Sequence, residues 1–234
     1  TTLMALGTLV MMLGSQVPYA ITAMMTFLLV HSFYKAALFL VIGIVDHSTG
    51  TRDANVLSGL RRTMPLTALA AGLAAASMAG LPPLFGFIAK EVQYAAGLRI
   101  EDLGLYVIVM ALLANAMMFA VALKPFWGAE AKPPTAPHEG PWARLLGPLL
   151  LAGRGLFCGL APWFIQDALV HPGVAAILGS DEGATTLKLW AGVNIPLFLS
   201  LGTFALGALL YMAHTRVRAA LIAGHFKSLD ERWD

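Results

Sequence analysis

Apolar residues run along this chain in long blocks rather than in strict alternation, near 1–15, 18–45, 64–80, 84–98, 103–127, 143–168 and 187–214, with short polar stretches between them. A membrane-spanning helix needs roughly 20 apolar residues, whereas a barrel strand alternates apolar and polar positions. The pattern therefore predicts an all-α, polytopic membrane helix bundle, with some of its seven windows short or broken. After His214 the chain turns basic. Val217, Leu221, Ile222, Phe226 and Leu229 then recur at helical spacing, which suits either a helix lying along the membrane surface or a tail that begins helical. The first window starts at Thr1 with no initiator Met and no charged flank, and reads as the middle of something longer.

Composition agrees with the pattern. Hydrophobic residues make up 58% of the chain and charged residues 12%, against about 25% charged in soluble domains. The mean hydropathy is +0.75. A single cysteine, Cys158, lies in apolar surroundings, which excludes a disulfide framework and a cysteine-based metal site. The formal charge of +2 is small and the basic residues are scattered over loops, so nucleic acid is not expected as a partner. The polar, proline-rich loop 128–142 holds His138 and Glu139, too few ligands for a metal. No nucleophile or cofactor motif is present, so no cofactor is expected. Alternating the seven windows places Arg52, Arg61, Arg62, Arg99 and Lys188 on one side and Lys124, Lys132, Arg144, Arg216 and Arg218 on the other. Lys227 and Arg232 tip the second side toward the cytoplasm.

Against this background the ionisable residues inside apolar windows stand out. A charge at that depth costs at least ~2.5 kcal/mol on insertion scales. His31 and Lys35, in His31-Ser32-Phe33-Tyr34-Lys35, are four apart and share a helix face. Together they read as a step in a proton relay. The competing reading has Lys35 snorkelling to an interface and His31 bonded to another helix. Further on, 77–91 cannot form one regular helix, because Pro82 and Pro83 remove two donors between Gly80 and Gly86. A turn between spans and a discontinuous helix lining a cavity both fit; the expectation combines them, with a turn at 80–83 and a short broken helix after it. Lys90 falls in that short helix as a second proton-handling candidate, or else as a headgroup marker. Its neighbour Glu91 points about 100° away, toward a different partner. Lys124, before Pro125-Phe126-Trp127, reads first as an interface anchor and only second as a proton group. Asn115 and Asn194 read as helix-bridging hydrogen bonders.

The stretches His31-Ser-Phe-Tyr-Lys35-Ala-Ala-Leu-Phe-Leu, Asp46-His47-Ser-Thr-Gly-Thr-Arg52-Asp53 and Met78-Ala-Gly-Leu-Pro-Pro-Leu-Phe-Gly-Phe-Ile-Ala-Lys90-Glu91 resemble the antiporter-like subunits of respiratory complex I. More closely, they resemble the A-type subunits of multisubunit Na+/H+ antiporters of the Mrp type. The resemblance is good over 1–127 and looser beyond. It implies a core of two inverted five-helix repeats, each with a discontinuous helix and a buried lysine. On that pattern the chain holds the second repeat in 1–127, the polar loop 128–142, two further transmembrane helices in 143–214 and a basic amphipathic segment in 215–234. The glutamate and lysine couple of the first repeat has no counterpart here.

The resemblance further implies that Lys35 is the central protonatable lysine with His31 beside it, that Lys90 is the terminal lysine of the broken helix and that Glu91 is its companion. The implied function is the proton-translocating part of a cation (Na+)/proton antiporter, a secondary transporter rather than an enzyme, in the bacterial cell (inner) membrane. Its partners would be other subunits of the complex, protons, Na+ and membrane lipid. The alternatives are a proton-pumping membrane subunit of complex I or of a membrane-bound hydrogenase, and a structural membrane scaffold subunit. Arg154 departs from the family pattern. Either it pairs with a carboxylate in a neighbouring subunit or the sixth window breaks at Gly153 and Gly155.

Overall fold

A computed structural model describes residues 2–15, 17–51, 59–100, 104–123, 137–180, 182–183 and 185–230, with side chains up to 118 in the fifth helix and up to 213 in the last. All regular structure among these residues is helical: α1 (Thr2–Gly14), α2 (Pro18–Thr49), a 3-10 turn (Leu60–Arg62), α3 (Pro65–Met78), α4 (Phe85–Gly97), α5 (Gly104–Leu123), α6 (Trp142–Leu160), α7 (Pro162–Ile165), a π-helical turn (Gln166–Val170), α8 (His171–Leu178) and α9 (Ile195–Asp230). Helices Pro18–Thr49, Trp142–Leu160 and the Ile195–Ala213 part of α9 are each long and apolar enough to cross a membrane. Their outward faces carry large apolar side chains such as Phe39, Leu150 and Phe198. Such a surface suits lipid or other membrane helices rather than water.

Helix α2, with 32 residues, is the ruler for the rest. Met64, just before α3, packs with Ile44 and Leu145 near the C-terminal end of α2. At the other end, the Arg99 guanidinium, just past α4, stacks 3.5 Å from the Tyr19 ring at the start of α2. Helices α3 and α4 are therefore two halves of one passage antiparallel to α2. This corrects the expectation from sequence, which counted 64–80 and 84–98 as separate windows. The physical reason is length: at about 1.5 Å per residue neither 14 nor 13 residues crosses a hydrocarbon core of about 30 Å alone. The correction also reassigns sides, since Arg99 now lies at the opposite end from Arg61 and Arg62.

Glu139 fastens the start of α3. Its carboxylate accepts from the backbone N–H of Leu66 at 2.8 Å and of Thr67 at 3.4 Å, and from the Thr67 hydroxyl at 2.5 Å. Pro65 sits in the first turn, where a missing donor costs nothing, and the negative charge suits a helix N-terminus. The residue set aside as a poor metal ligand is thus a helix cap supplied from a distant loop. Glu139→Ala is expected to lower stability by roughly 1–2 kcal/mol, the usual cost of losing a cap. Thermal unfolding in detergent measures it, and an unchanged midpoint would remove the cap from the account.

Helix α6 runs unbroken through Gly153 and Gly155, so the expected break there is absent. It ends at Ala161, ahead of Pro162, where the proline ring cannot continue the helix. The sixth window, 143–168, is therefore divided. Arg154 lies on the exposed face of α6. The seventh window starts at 187, but its helix begins only at Ile195. Asn194 is the reason: its Oδ1 accepts from the Leu197 N–H at 2.9 Å, an N-cap rather than the expected bridge between helices. Helix α9 continues to Asp230 into the segment read as basic and amphipathic, whose side chains lie outside those described.

Candidate functional site

The short helix α4 is the centre of the bundle, buried along almost its whole length and flanked by α2, α5, α6 and α9. The sequence breaks the passage just before it. Gly80 takes φ +71°, and the chain closes α3 with Gly80 N–H to Ser77 O and Leu81 N–H to Ala76 O, both at 3.0 Å, the paired bonds of a Schellman ending. Pro82 and Pro83 then prevent any continuation. Helix α4 restarts at Phe85 and folds back closely: a Cβ on Gly86 would stand 1.7 Å from the Ser77 carbonyl oxygen. On the other side Gly159 of α6 seats against Pro83 and Leu84.

This break frees a backbone carbonyl that Lys90 uses. The Lys90 side chain reaches back to donate to Gly80 O at 3.2 Å, with its ammonium 3.6 Å from the centre of the Phe204 ring. It is only 3% exposed. One carbonyl and the rings of Phe204 and, at 5.8 Å, Phe87 are sparse compensation for a buried ammonium, since several kcal/mol of desolvation are at stake. Glu91 turns to another neighbour, accepting from the Ser200 hydroxyl of α9.

On α2, His31 and Lys35 are both half-buried and share a side of the helix, but they do not meet the break equally. Lys35 lies over the Phe39 ring, 5.0 Å from its centre. His31 Nδ1 is 2.7 Å from the Tyr34 hydroxyl, and the two rings meet edge to face. Tyr34 faces the core and, with Lys90, Ser77 and Gly80, lines a cavity that leaves about 10 Å³ open to the centre of a water molecule. The structure thus brings His31, through Tyr34, and Lys90 to the same cavity, and leaves Lys35 off its wall. Lys124 lies outside the described residues.

Of the other polar groups nearby, Gln93, Tyr94 and Thr203 escaped the reading of the sequence, whereas Asn115 bridges α5 and α4 as expected. Gln93 and Asn115 also line the cavity, and Asn115 Nδ2 donates to Gln93 Oε1 and to the Tyr94 hydroxyl, both at 3.3 Å. Thr203 gives its hydrogen to Leu199 O, so Tyr94 donates to Thr203 Oγ1 across 2.5 Å. Uncharged residues inside apolar windows are common as helix glue, and spacing alone does not separate them from a path. The available signal was their register: Gln93 and Tyr94 follow Lys90 by three and four residues, on its own face. No cluster of three or more His, Cys, Asp or Glu side chains suited to a metal occurs among the described residues.

Comparison with known proteins fits this geometry. Residues 2–122, more than half of the chain, match the family described as the transmembrane region of NADH:quinone oxidoreductase and Mrp antiporters. The chain belongs to that family. Among its relatives, the A-type subunit of the Na+/H+ antiporter of Alkalihalophilus pseudofirmus is 33% identical over 90% of the chain, and the A/B-type subunit of the probable K+/H+ antiporter of Rhizobium meliloti is 34% identical over 96%. The chain spans 29% of the first protein and 23% of the second. Among solved structures, the Mrp complex of Dietzia sp. DQ12-45-1b superposes with a TM-score of 0.79 at 31% identity, covering 97% of this chain and 27% of that one. The chain is thus a multi-pass membrane member of the Mrp and complex I antiporter-like family, related to the A-type subunits of Mrp antiporters.

Proposed function

We propose that this chain forms the second half of the proton path of a cation/proton antiporter subunit that works with other subunits in a bacterial inner membrane. The observation that carries the reading is the buried Lys90 ammonium at the break between α3 and α4, held by a carbonyl released by that break. Irregular backbone at membrane depth is tolerated where it lines a cavity, and buried ionisable groups there are functional by default. In this reading protons arrive through the His31 and Lys35 region of α2, pass to Lys90 and leave beside Glu91, with Lys124 as a lesser candidate on the same route.

The corrected topology also supports an orientation. Among the described residues, the end holding the start of α3 carries Arg61, Arg62 and, in the first turn of α6, Arg144, whereas the other end carries Arg99 and Lys188. The positive-inside rule then places the first end in the cytoplasm.

Sodium is the cation named for the Alkalihalophilus relative, and the name of the Rhizobium relative favours potassium as a second reading. Proton movement in membrane vesicles carrying the complete complex distinguishes them. Addition of Na+, without quinone or redox substrate, is expected to drive it. A response to K+ alone would transfer the proposal to potassium, and movement seen only with a redox substrate would favour the complex I or hydrogenase alternative.

A further inference from the structure

Tyr34 was not among the candidates drawn from the sequence, yet it occupies the position between the two groups that were. It is 3% exposed, follows His31 by almost one helical turn, and has its hydroxyl 2.7 Å from His31 Nδ1. The same side chain walls the cavity that Lys90 borders. A phenylalanine would fill this space equally well, so packing does not call for the hydroxyl. Ser77 lines the cavity too, and its buried hydroxyl has no hydrogen-bond partner among the described residues, although buried hydroxyls are normally paired. With about 10 Å³ open to the centre of a water molecule the cavity has room for one, and a buried water needs 2–4 polar partners. Tyr34, Ser77 and Lys90 all line the cavity and carry such groups.

We propose that the Tyr34 hydroxyl is the link by which a proton passes between His31 and Lys90, through one water held against Ser77. This deepens the proton-path reading of Lys90 and rests on it. The step balances without any other reactant. Protonated His31 gives its Nδ1 hydrogen to Tyr34 Oη as the phenol gives its own hydrogen to the water. The water in turn gives one to the lone pair of the neutral Lys90 amine. The imidazole ends neutral, Lys90 ends as the ammonium, and both the phenol and the water are regenerated. The reverse sequence returns the proton. Lys35, one turn further along α2, lies over the Phe39 ring and stands off the cavity wall.

The test is cation-driven proton movement by the complete complex in vesicles. Tyr34→Phe, which removes one oxygen and keeps the ring, is expected to lower the rate at least tenfold without changing the amount of assembled complex. His31→Gln is expected to lower it similarly, and the double variant to be no slower than the slower single variant, since both lie on one line. A Tyr34→Phe rate equal to the parent's, or losses that multiply in the double variant, would overturn the link. Lys90→Met measured alongside separates the two readings: if it is inactive while Tyr34→Phe is active, only the hydroxyl link falls, and if it is active the Lys90 reading falls as well. Should Tyr34→Phe assemble poorly, a ring-fluorinated tyrosine at position 34 keeps shape and hydroxyl while making the phenol more acidic. A several-fold change in rate is then expected, and an unchanged rate would overturn the proposal.

Discussion

Gly86→Ala is expected to prevent the two halves of the broken passage from packing, with loss of assembled protein or a large drop in its thermal midpoint. The added methyl would stand 1.7 Å from the carbonyl oxygen and 2.7 Å from the carbonyl carbon of Ser77. Both are backbone atoms and cannot rotate aside as a side-chain tip would. Relief requires α3 and α4 to separate, and that disturbs Lys90, whose hydrogen bond spans the same gap. Overpacking of a core costs about 1–3 kcal/mol when side chains can adjust, so the cost here lies at or beyond the upper end. Gly72, inside α3 with nothing within 4 Å of an added Cβ, is the matching control. There alanine is expected to be neutral or stabilising by roughly 0.5–1 kcal/mol, because glycine is the poorer helix former. Comparison of the two by thermal unfolding in detergent checks the prediction. Parent-like stability of Gly86→Ala would mean that the halves do not approach as described.

Lys90→Met is expected to abolish cation-driven proton movement while leaving assembly close to that of the parent. The substitution replaces an ammonium facing Phe204 by an apolar chain of similar length, and exchange of a buried charge for a well-packed apolar group is often neutral or stabilising. The opposing term is the Gly80 carbonyl, which loses its donor at a cost of about 1–3 kcal/mol unless water reaches it. These terms nearly cancel for folding, whereas no group at that position can then carry a proton. The split between transport and assembly distinguishes a proton path from a scaffold whose buried charges serve only helix packing. In a scaffold, assembly would fail or nothing would change. Measuring complex recovered from membranes together with proton movement in vesicles reads both quantities.

Much of this architecture is legible in the residues themselves. The all-helical membrane bundle follows from the lengths of the apolar windows, and the break at 80–83 follows from Pro82, Pro83 and Gly80. Whether the windows on either side of the break are two spans or one depends on where their ends lie against α2. That is tertiary information, supplied by Met64 beside Ile44 and Arg99 on Tyr19. Lys90 and Glu91 were visible because charge in an apolar window is costly. Tyr34, Gln93 and Ser200 were not, since a hydroxyl or amide is tolerated in many places and only its position against the cavity or Glu91 singles it out. Asn194 and Glu139 show the converse: one was expected to bridge helices and the other had no role beyond an exposed loop, and they cap the starts of α9 and α3, one from the adjacent residue and the other from a remote loop.

In the proposed path Lys90 gives up and regains a proton in each transport cycle. The most direct test of this step is proton movement in vesicles carrying the complete complex with Lys90→Arg, because arginine keeps a positive charge at the same place and does not release its proton in a protein. The expected result is an assembled complex in which cation-driven proton movement falls to background. Transport at the parent rate in that variant would contradict it and leave Lys90 as a fixed charge holding the break together.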